Sequence, residues 1–332
     1  MSRVLLRTLY LSEPGTCAKL QNHAIGIESP NGEETALALH EIDSLVVFGG
    51  CNASQPLVLA LASMGKPTSY LAEDGSFQAR LSGPESGGIQ LRLAQYQAVA
   101  EAPMRLHFAI QLVRSKLQSQ VVELTARART SRTASMLDVE QPVATLNALR
   151  EQCLRARDAQ TLLQLEAGGA ICYYGSLAGF LSSSGGFAFV QRSKRPPRDP
   201  INALLSYGYT ILAHRCAGAL EAVGLDPCMG VFHEVRAGRN SLALDVMEPL
   251  RAPLVDHFVW NCVNRRIFKA GGFAYTAAVG SRMDAETRRS FLIELDKWWR
   301  TEGEPGRPNG LRPILAAQHL ANAFRGCHGQ GQ

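Results

Sequence analysis

The sequence lacks the short motifs by which nucleotide-cofactor enzymes and hydrolases are read. It has no GxGxxG after a strand-like run, no Walker loop, no GxSxG and no HExxH. Dinucleotide, P-loop and serine-hydrolase chemistry lose their support with them. Eight cysteines stand far apart, at 17, 51, 153, 172, 216, 228, 262 and 327, with no CxxC and no Cys/His pair at zinc spacing. Reduced, mostly buried thiols in a cytoplasmic protein are expected. Aromatic residues make up only 7% and form no recognition motif, so stacking on nucleic-acid bases is not indicated. No repeat of solenoid period is present. No hydrophobic run is long enough for a membrane. Ala167–Gln191 is uncharged and holds Gly175 and Gly179 as a GxxxG, but its helix-like part ends at Leu181, before Ser182–Gly186. Ala167–Leu181 falls short of the roughly 20 residues a bilayer needs, so a buried helix with small-residue packing is expected. Arg3 and Arg7 interrupt the first apolar stretch, and no signal peptide is expected.

What is present is an ordinary globular composition, 46% hydrophobic and 19% charged over 332 residues. Such a chain makes one large domain or two and buries a core without staples. Its net charge of +5 is uneven. Residues 1–80 hold five basic and eight acidic side chains, and the remainder is net basic. An acidic first part and a basic second suggest two units, the second facing a polyanion; a mildly basic solvated surface explains the number equally well.

Residues 1–81 read as β-rich. Val4–Leu11, Ala24–Ile27, Thr35–Leu39, Leu45–Phe48, Thr68–Leu71 and Phe77–Leu81 are strand-like, with turns at Ser29–Gly32 and Glu73–Gly75 and a short helix over Gln55–Met64. Residues 82–89 read as a linker. Residues 90–325 read as helical, with segments at Gln90–Glu101, Met104–Arg127, Val143–Gln164, Asp158–Leu181, 199–223, 245–268, Ser281–Arg300 and Arg312–Arg325. Asp199-Pro200 is a helix start, cap and first position together. The tail 326–332 reads as disordered.

Three places carry chemistry. Glu166 lies among apolar and small residues, where a carboxylate is unfavourable unless paired or metal-bound; an ion pair with Arg155 or Arg157 is the plainer account. His233 follows the apolar lead-in Gly230-Val231-Phe232, at a strand end or in a loop. Asp245 and Glu248, at a helix start, share one face, although acidic residues also favour helix N-termini through the dipole. Together these are two or three carboxylates and an imidazole in apolar settings, a set that suits Mg²⁺ or Mn²⁺ and phosphate esters. Beside them in sequence runs Arg192-Ser193-Lys194-Arg195-Pro196-Pro197-Arg198, and Arg265, Arg266 and Lys269 form a second basic cluster. Either run is a solvated loop or a seat for a nucleic-acid backbone.

At these residues the sequence resembles a known family. Arg195 to Tyr209, Gly224-Leu225-Asp226-Pro227 followed by Gly230–His233, and Ser241 to Arg251 resemble, in that order, blocks of the CRISPR-associated integrase, the endonuclease subunit of the spacer-acquisition complex, most of all its type I-C branch. The resemblance implies an α+β protein with a small N-terminal β-sandwich-like dimerisation domain and a larger all-α catalytic domain. It implies metal ligands Glu166, His233 and Glu248, with Asp245 as an additional acidic residue that orients the nucleophile or holds a second metal or water. It implies Mg²⁺ or Mn²⁺, DNA contacts from Arg192, Lys194, Arg195, Arg198, Asn202, Arg265 and Arg266, a homodimer, and a small ferredoxin-like partner. The implied reaction joins 3′-hydroxyl ends of captured DNA to a repeat. A metal-dependent nuclease without integration, a non-catalytic DNA-binding scaffold and a membrane-associated helical protein are the competing readings. Pro249 and Leu250 interrupt the acidic block before Arg251, and Ala167 stands where the family often has Gly.

Overall fold

The computed structural model describes residues 8–73, 75–83, 88–130, 135–181 and 186–328. Two compact units emerge from it: residues up to 87 together with 284–311, and residues 88–283 together with those from 312 onward. The first boundary falls in the segment 82–89, of which 84–87 lie outside the described residues. The stretch 284–311, expected within the helical domain, groups instead with the strand-rich unit.

The first unit holds two four-stranded sheets. In one, β1 (Thr8–Leu11), β5 (Ser44–Phe48) and β7 (Thr68–Leu71) run parallel, and β8 (Phe77–Leu81) closes the edge antiparallel to β7. The other has the order β4 (Glu34–Ala38), β3 (Ala24–Glu28), β2 (Cys17–Gln21), β6 (Asn52–Ala53). Residues 4–7 of the expected first strand lie outside the described residues. Strand β2 gives no sequence signal, because Cys-Ala-Lys-Leu-Gln has no β-branched residue. Its hairpin with β3 turns on Asn22 and His23 at φ 44° and 63°. That is the left-handed pair a type I′ turn demands, made without the usual glycine. Helix α1 (Gln55–Ser63) starts with Pro56 in its first turn. Leu11, Ile25, Ile42, Leu45, Val47, Leu57 and Leu61, drawn from both sheets, α1 and the connection before β5, form one apolar core.

The second unit is built on helices, and adds a two-stranded hairpin, β9 (Phe273–Thr276) with β10 (Gly280–Met283). Helix α2 spans Ile89–Ala100. The 29-residue α3 (Ala102–Thr130) packs against α4 (Met136–Gln152) and α5 (Ala159–Leu177). Sequence periodicity runs α4 and α5 together, but the chain breaks at 156–158. Asp158 then caps α5, its carboxylate accepting the Thr161 amide at 2.7 Å. Asp199 caps α6 (Pro200–Ala222) as the sequence predicts. The next helix begins at Ser241, not near Asp245. It continues as α7 (Ser241–Met247), a tight turn at Glu248–Leu250, a widened π-type turn at Ala252–Asp256, and α8 (His257–Asn264). Pro249 and Pro253 lack amide protons, which accounts for the irregular winding between them. Helix α9 starts at Ala285 behind the Asp284 cap, because Gly280–Met283 is strand. It ends at Arg300 and is followed by the small hairpin β11 (Glu302–Glu304) with β12 (Arg307–Pro308). Helix α10 (Arg312–His328) carries the first residues of the expected disordered tail; 329–332 lie outside the described residues. Among the described residues no helix is long and apolar enough to cross a membrane. The eight cysteines are free.

Candidate metal centre

Four elements of the helical unit bring the acidic residues and the imidazole together. Glu166 stands two turns into α5. Gly169, one turn further on, faces α3, which packs closely against α5: a Cβ there would lie 2.3 Å from the tip of the Leu117 side chain. The approach sets Glu166 against Lys116 of α3, whose Nζ contacts Glu166 Oε1 and lies 2.6 Å from Glu248 Oε2. Glu166 therefore pairs with Lys116, rather than with the Arg155 or Arg157 close to it in sequence. Lys116 and Glu248 are buried, whereas the Glu166 and His233 side chains remain 19% and 23% exposed.

His233 comes from the loop between α6 and α7. That loop is pinned to α2 by the buried Gln95, whose amide bonds the backbone of Asp226 on both sides (2.8 and 2.9 Å) and reaches Met229 O. Arg105 Nε donates to Val231 O at 3.1 Å. The loop then folds over Asp245. The amides of Val231, Phe232 and His233 donate to its carboxylate at 2.6, 3.0 and 2.9 Å, and His233 Nδ1 lies 2.7 Å from Oδ1. Gly230 is needed here: a Cβ would sit 2.7 Å from Ser241 Cβ and 3.0 Å from Asp245 Oδ2. Four donors use up the lone pairs of one carboxylate. Asp245 therefore cannot take the expected part of orienting a nucleophile or holding a second metal. It is fully buried behind His233 and accepts from Nδ1, which leaves Nε2 on the far side of the ring. Nε2 lies 4.0 Å from Glu248 Oε1.

Burial pushes the Glu248 carboxyl upward, but Arg251, with Nη2 at 3.0 Å from Oε1, together with Lys116 and His233, outweighs it and holds the group down to about 2. Arg251 also stacks over Tyr209, 4.7 Å from the ring centre. Beneath it, Tyr209 and Tyr173 donate to the buried Asp256, and Tyr174 donates to Tyr209 at 2.7 Å. Burial raises the Asp256 carboxyl to about 6 despite those bonds. Further along α3, Glu123 pairs with Arg127 at 2.5 Å and with His257 at 3.1 Å.

The residues present fit a divalent cation. Two carboxylates already converge on one positive charge, the imidazole Nε2 lies alongside, and oxygen-rich sets with one imidazole suit Mg²⁺ or Mn²⁺. Among the described residues no three such side chains close on a single point; Lys116 Nζ stands where the two carboxylates meet.

The basic residues divide. Asn202, expected on DNA, is fully buried and ties down the loop before α6: its side chain bonds Gln191 O, the Ser193 amide, Arg192 and Asp199. Arg192 is likewise turned inward, onto Asn202 at 2.7 Å, Ser206 at 2.9 Å and the Tyr209 ring. Both correct the expectation of DNA contact; they shape the loop. Lys194, Arg195 and Arg198 are exposed, as are Arg265 and Arg266. The Lys194 ammonium is lowered by partial desolvation and by Arg251, against the pull of Glu248.

Lys116 and Arg251 were not legible as members of the centre. One signal was available: Lys116, Gln120, Glu123 and Arg127 follow one another at helical spacing on the same face as Val113, Leu117 and Leu124, so α3 carries polar residues along its buried stripe.

A family profile described as CRISPR associated protein Cas1 matches residues 9–297. CRISPR-associated endonuclease Cas1 2 of Rhodospirillum rubrum is 37% identical over 97% of this chain and 96% of its own length. Among solved structures, a CAS1 protein from Thermotoga maritima superposes with a TM-score of 0.83 at 21% identity, covering 96% of this chain and 97% of that one. A casposase bound to integration product gives 0.81 at 20% identity, covering 98% and 92%. These two share the fold. The profile runs through the strand-rich unit and all four elements of the centre, and with a relative alike from end to end it places the chain in the Cas1 family of CRISPR-associated proteins.

Proposed function

We propose that this chain is a divalent-metal-dependent DNA endonuclease and integrase that joins 3′-hydroxyl ends of captured DNA to a CRISPR repeat by transesterification. The observation that carries the reading is the convergence of Glu166 and Glu248 on one cationic point beside the outward Nε2 of His233. Membership of the family and the endonuclease name of its curated relative support it, as does the fold shared with a casposase bound to integration product.

Glu166, Glu248 and His233 Nε2 would hold Mg²⁺ or Mn²⁺, which when bound stabilises the charge that develops on attacking and leaving oxygens. The chain's own residues do the rest. Asp245 fixes the His233 ring and its tautomer. Arg251 holds the Glu248 carboxylate ionised and aimed. Lys194, Arg195 and Arg198, exposed in the loop before α6, hold the phosphate backbone without reading sequence, with Arg265 and Arg266 as a second seat. A 3′-hydroxyl placed in line with the scissile phosphodiester gives joining, and water in its place gives cleavage. The strand-rich unit serves dimerisation, and a small ferredoxin-like partner completes the complex. The protein works in the cytoplasm.

The test is strand transfer: protein with and without the small partner, Mn²⁺ or Mg²⁺, a labelled short duplex and a supercoiled plasmid carrying the repeat. Label joined to the plasmid by the wild type and lost by at least about a hundredfold in Glu166→Ala is expected. Undiminished joining by that variant would remove the site assignment, and nicking without joining under every condition would leave a nuclease.

A further inference from the structure

Lys116 is a buried cation set between the two carboxylates proposed to hold the metal. It is the side chain of α3 that reaches both, it is 6% exposed, and its ammonium touches Glu166 Oε1 and lies 2.6 Å from Glu248 Oε2. Glu248 keeps Arg251 as a second partner at 3.0 Å. For Glu166 the corresponding contact is Lys116. One ammonium, with three N–H donors, thus neutralises both carboxylates of the pair.

We propose that Lys116 is a built-in placeholder for the metal: its ammonium holds Glu166 and Glu248 together in the metal-free protein and must leave for a divalent cation to bind. Two carboxylates brought together, one of them buried, would repel and splay without a cation between them. Lys116 prevents this, at the expense of metal affinity, since each binding event breaks its contacts. Its flexible four-carbon stem lets the ammonium withdraw without moving α3. Lys116 is thus a positioning residue of the centre. The inference rests on the metal reading above.

The experiment measures Mn²⁺ binding by calorimetry to the full chain and to Lys116→Met and Lys116→Gln, without DNA. Met keeps the length of the stem without the charge, and Gln keeps a neutral donor. The expected result is a Kd for Mn²⁺ about tenfold lower in Lys116→Met than in the wild type, with Lys116→Gln between them. The Mn²⁺-induced rise in Tm is expected to be larger in both variants. In the wild type, acetylation of the Lys116 amine, followed by mass spectrometry, is expected to rise severalfold on saturation with Mn²⁺, with Lys269 unchanged as an exposed control. The labelling decides the matter alone if neither variant folds. Equal or weaker Mn²⁺ binding by folded variants, or unchanged labelling of Lys116, overturns the placeholder while leaving the metal site standing. Absence of Mn²⁺ binding to all three proteins overturns the metal reading and the placeholder with it.

Discussion

The two units bury different things. Among the described residues, the polar side chains buried in the strand-rich unit are Thr16, Thr68, Ser69, Thr287 and Asn309, all neutral. The helical unit buries Lys116, Glu123, Arg127, Asp245, Glu248 and Asp256. A core of Leu, Ile and Val needs only volume and patterning to be stable. Buried charges need partners delivered by several elements at once, and removing one partner strands the others. The helical unit carries that cost in two clusters, Lys116, Asp245 and Glu248 around His233 and Glu123, Arg127 and Asp256 around His257, whereas the buried polar groups of the strand-rich unit are neutral.

The comparison can be tested by substitutions of graded effect. The largest change in stability is expected at Asp245. Asp245→Ala leaves three backbone amides and His233 Nδ1 without their acceptor. Urea unfolding should show a loss of roughly 3–5 kcal/mol, and Mn²⁺ affinity should fall roughly 10–100-fold as the imidazole loses its orientation. A loss under about 1 kcal/mol would show that the loop is held by its other anchors.

Asp256 gives a smaller, pH-dependent effect. Its folded carboxyl sits at about 6, above the ordinary 3.8. The folded state therefore binds a proton more tightly than the unfolded chain. The stabilisation from that proton is complete below pH 3.8 and is lost as pH rises through 6. Asp256→Asn copies the protonated form. Its stability relative to wild type should improve by roughly 1–2 kcal/mol between pH 5 and pH 7.5, read from urea midpoints at the two values. A constant difference would mean that Tyr173 and Tyr209 keep the group ionised throughout.

The smallest effect is expected in the other unit. Thr68 is fully buried, and among the described residues its hydroxyl has no partner. Thr68→Val removes a desolvated hydroxyl and keeps the shape, so stability should stay level or rise by up to about 1 kcal/mol. A loss above that would show that this core too depends on a polar contact.

Glu166, His233 and Glu248 were legible in the sequence because each is a chemically costly residue in an apolar or ordered block. The helix caps Asp158, Asp199 and Asp284 act locally, through the amide three residues on; helical periodicity hides the break before Asp158, and the strand Gly280–Met283 reads as the start of the helix that Asp284 caps. Strand β2 was missed because its residues have no β preference, and its hairpin is set by Asn22 and His23. Arg192 and Asn202 were misplaced because a basic loop and a polar helix start look the same whether they face water or each other.

Hydrophobic period, turn residues and ordered motif blocks are properties of neighbours along the chain. The sequence by itself therefore determined the division into a strand-rich and a helical part, the start of α6, and the identity of the acidic residues and the histidine. Only the tertiary structure decided that Lys116 stands between Glu166 and Glu248, that Asp245 faces the loop of His233 rather than the centre, and that 284–311 belongs with the strands. Those are contacts between residues distant along the chain, Lys116 lying 50 positions from Glu166, and what decides them is which helix faces pack together, which loop can close over a carboxylate at Gly230, and which charges must find one another once water is excluded.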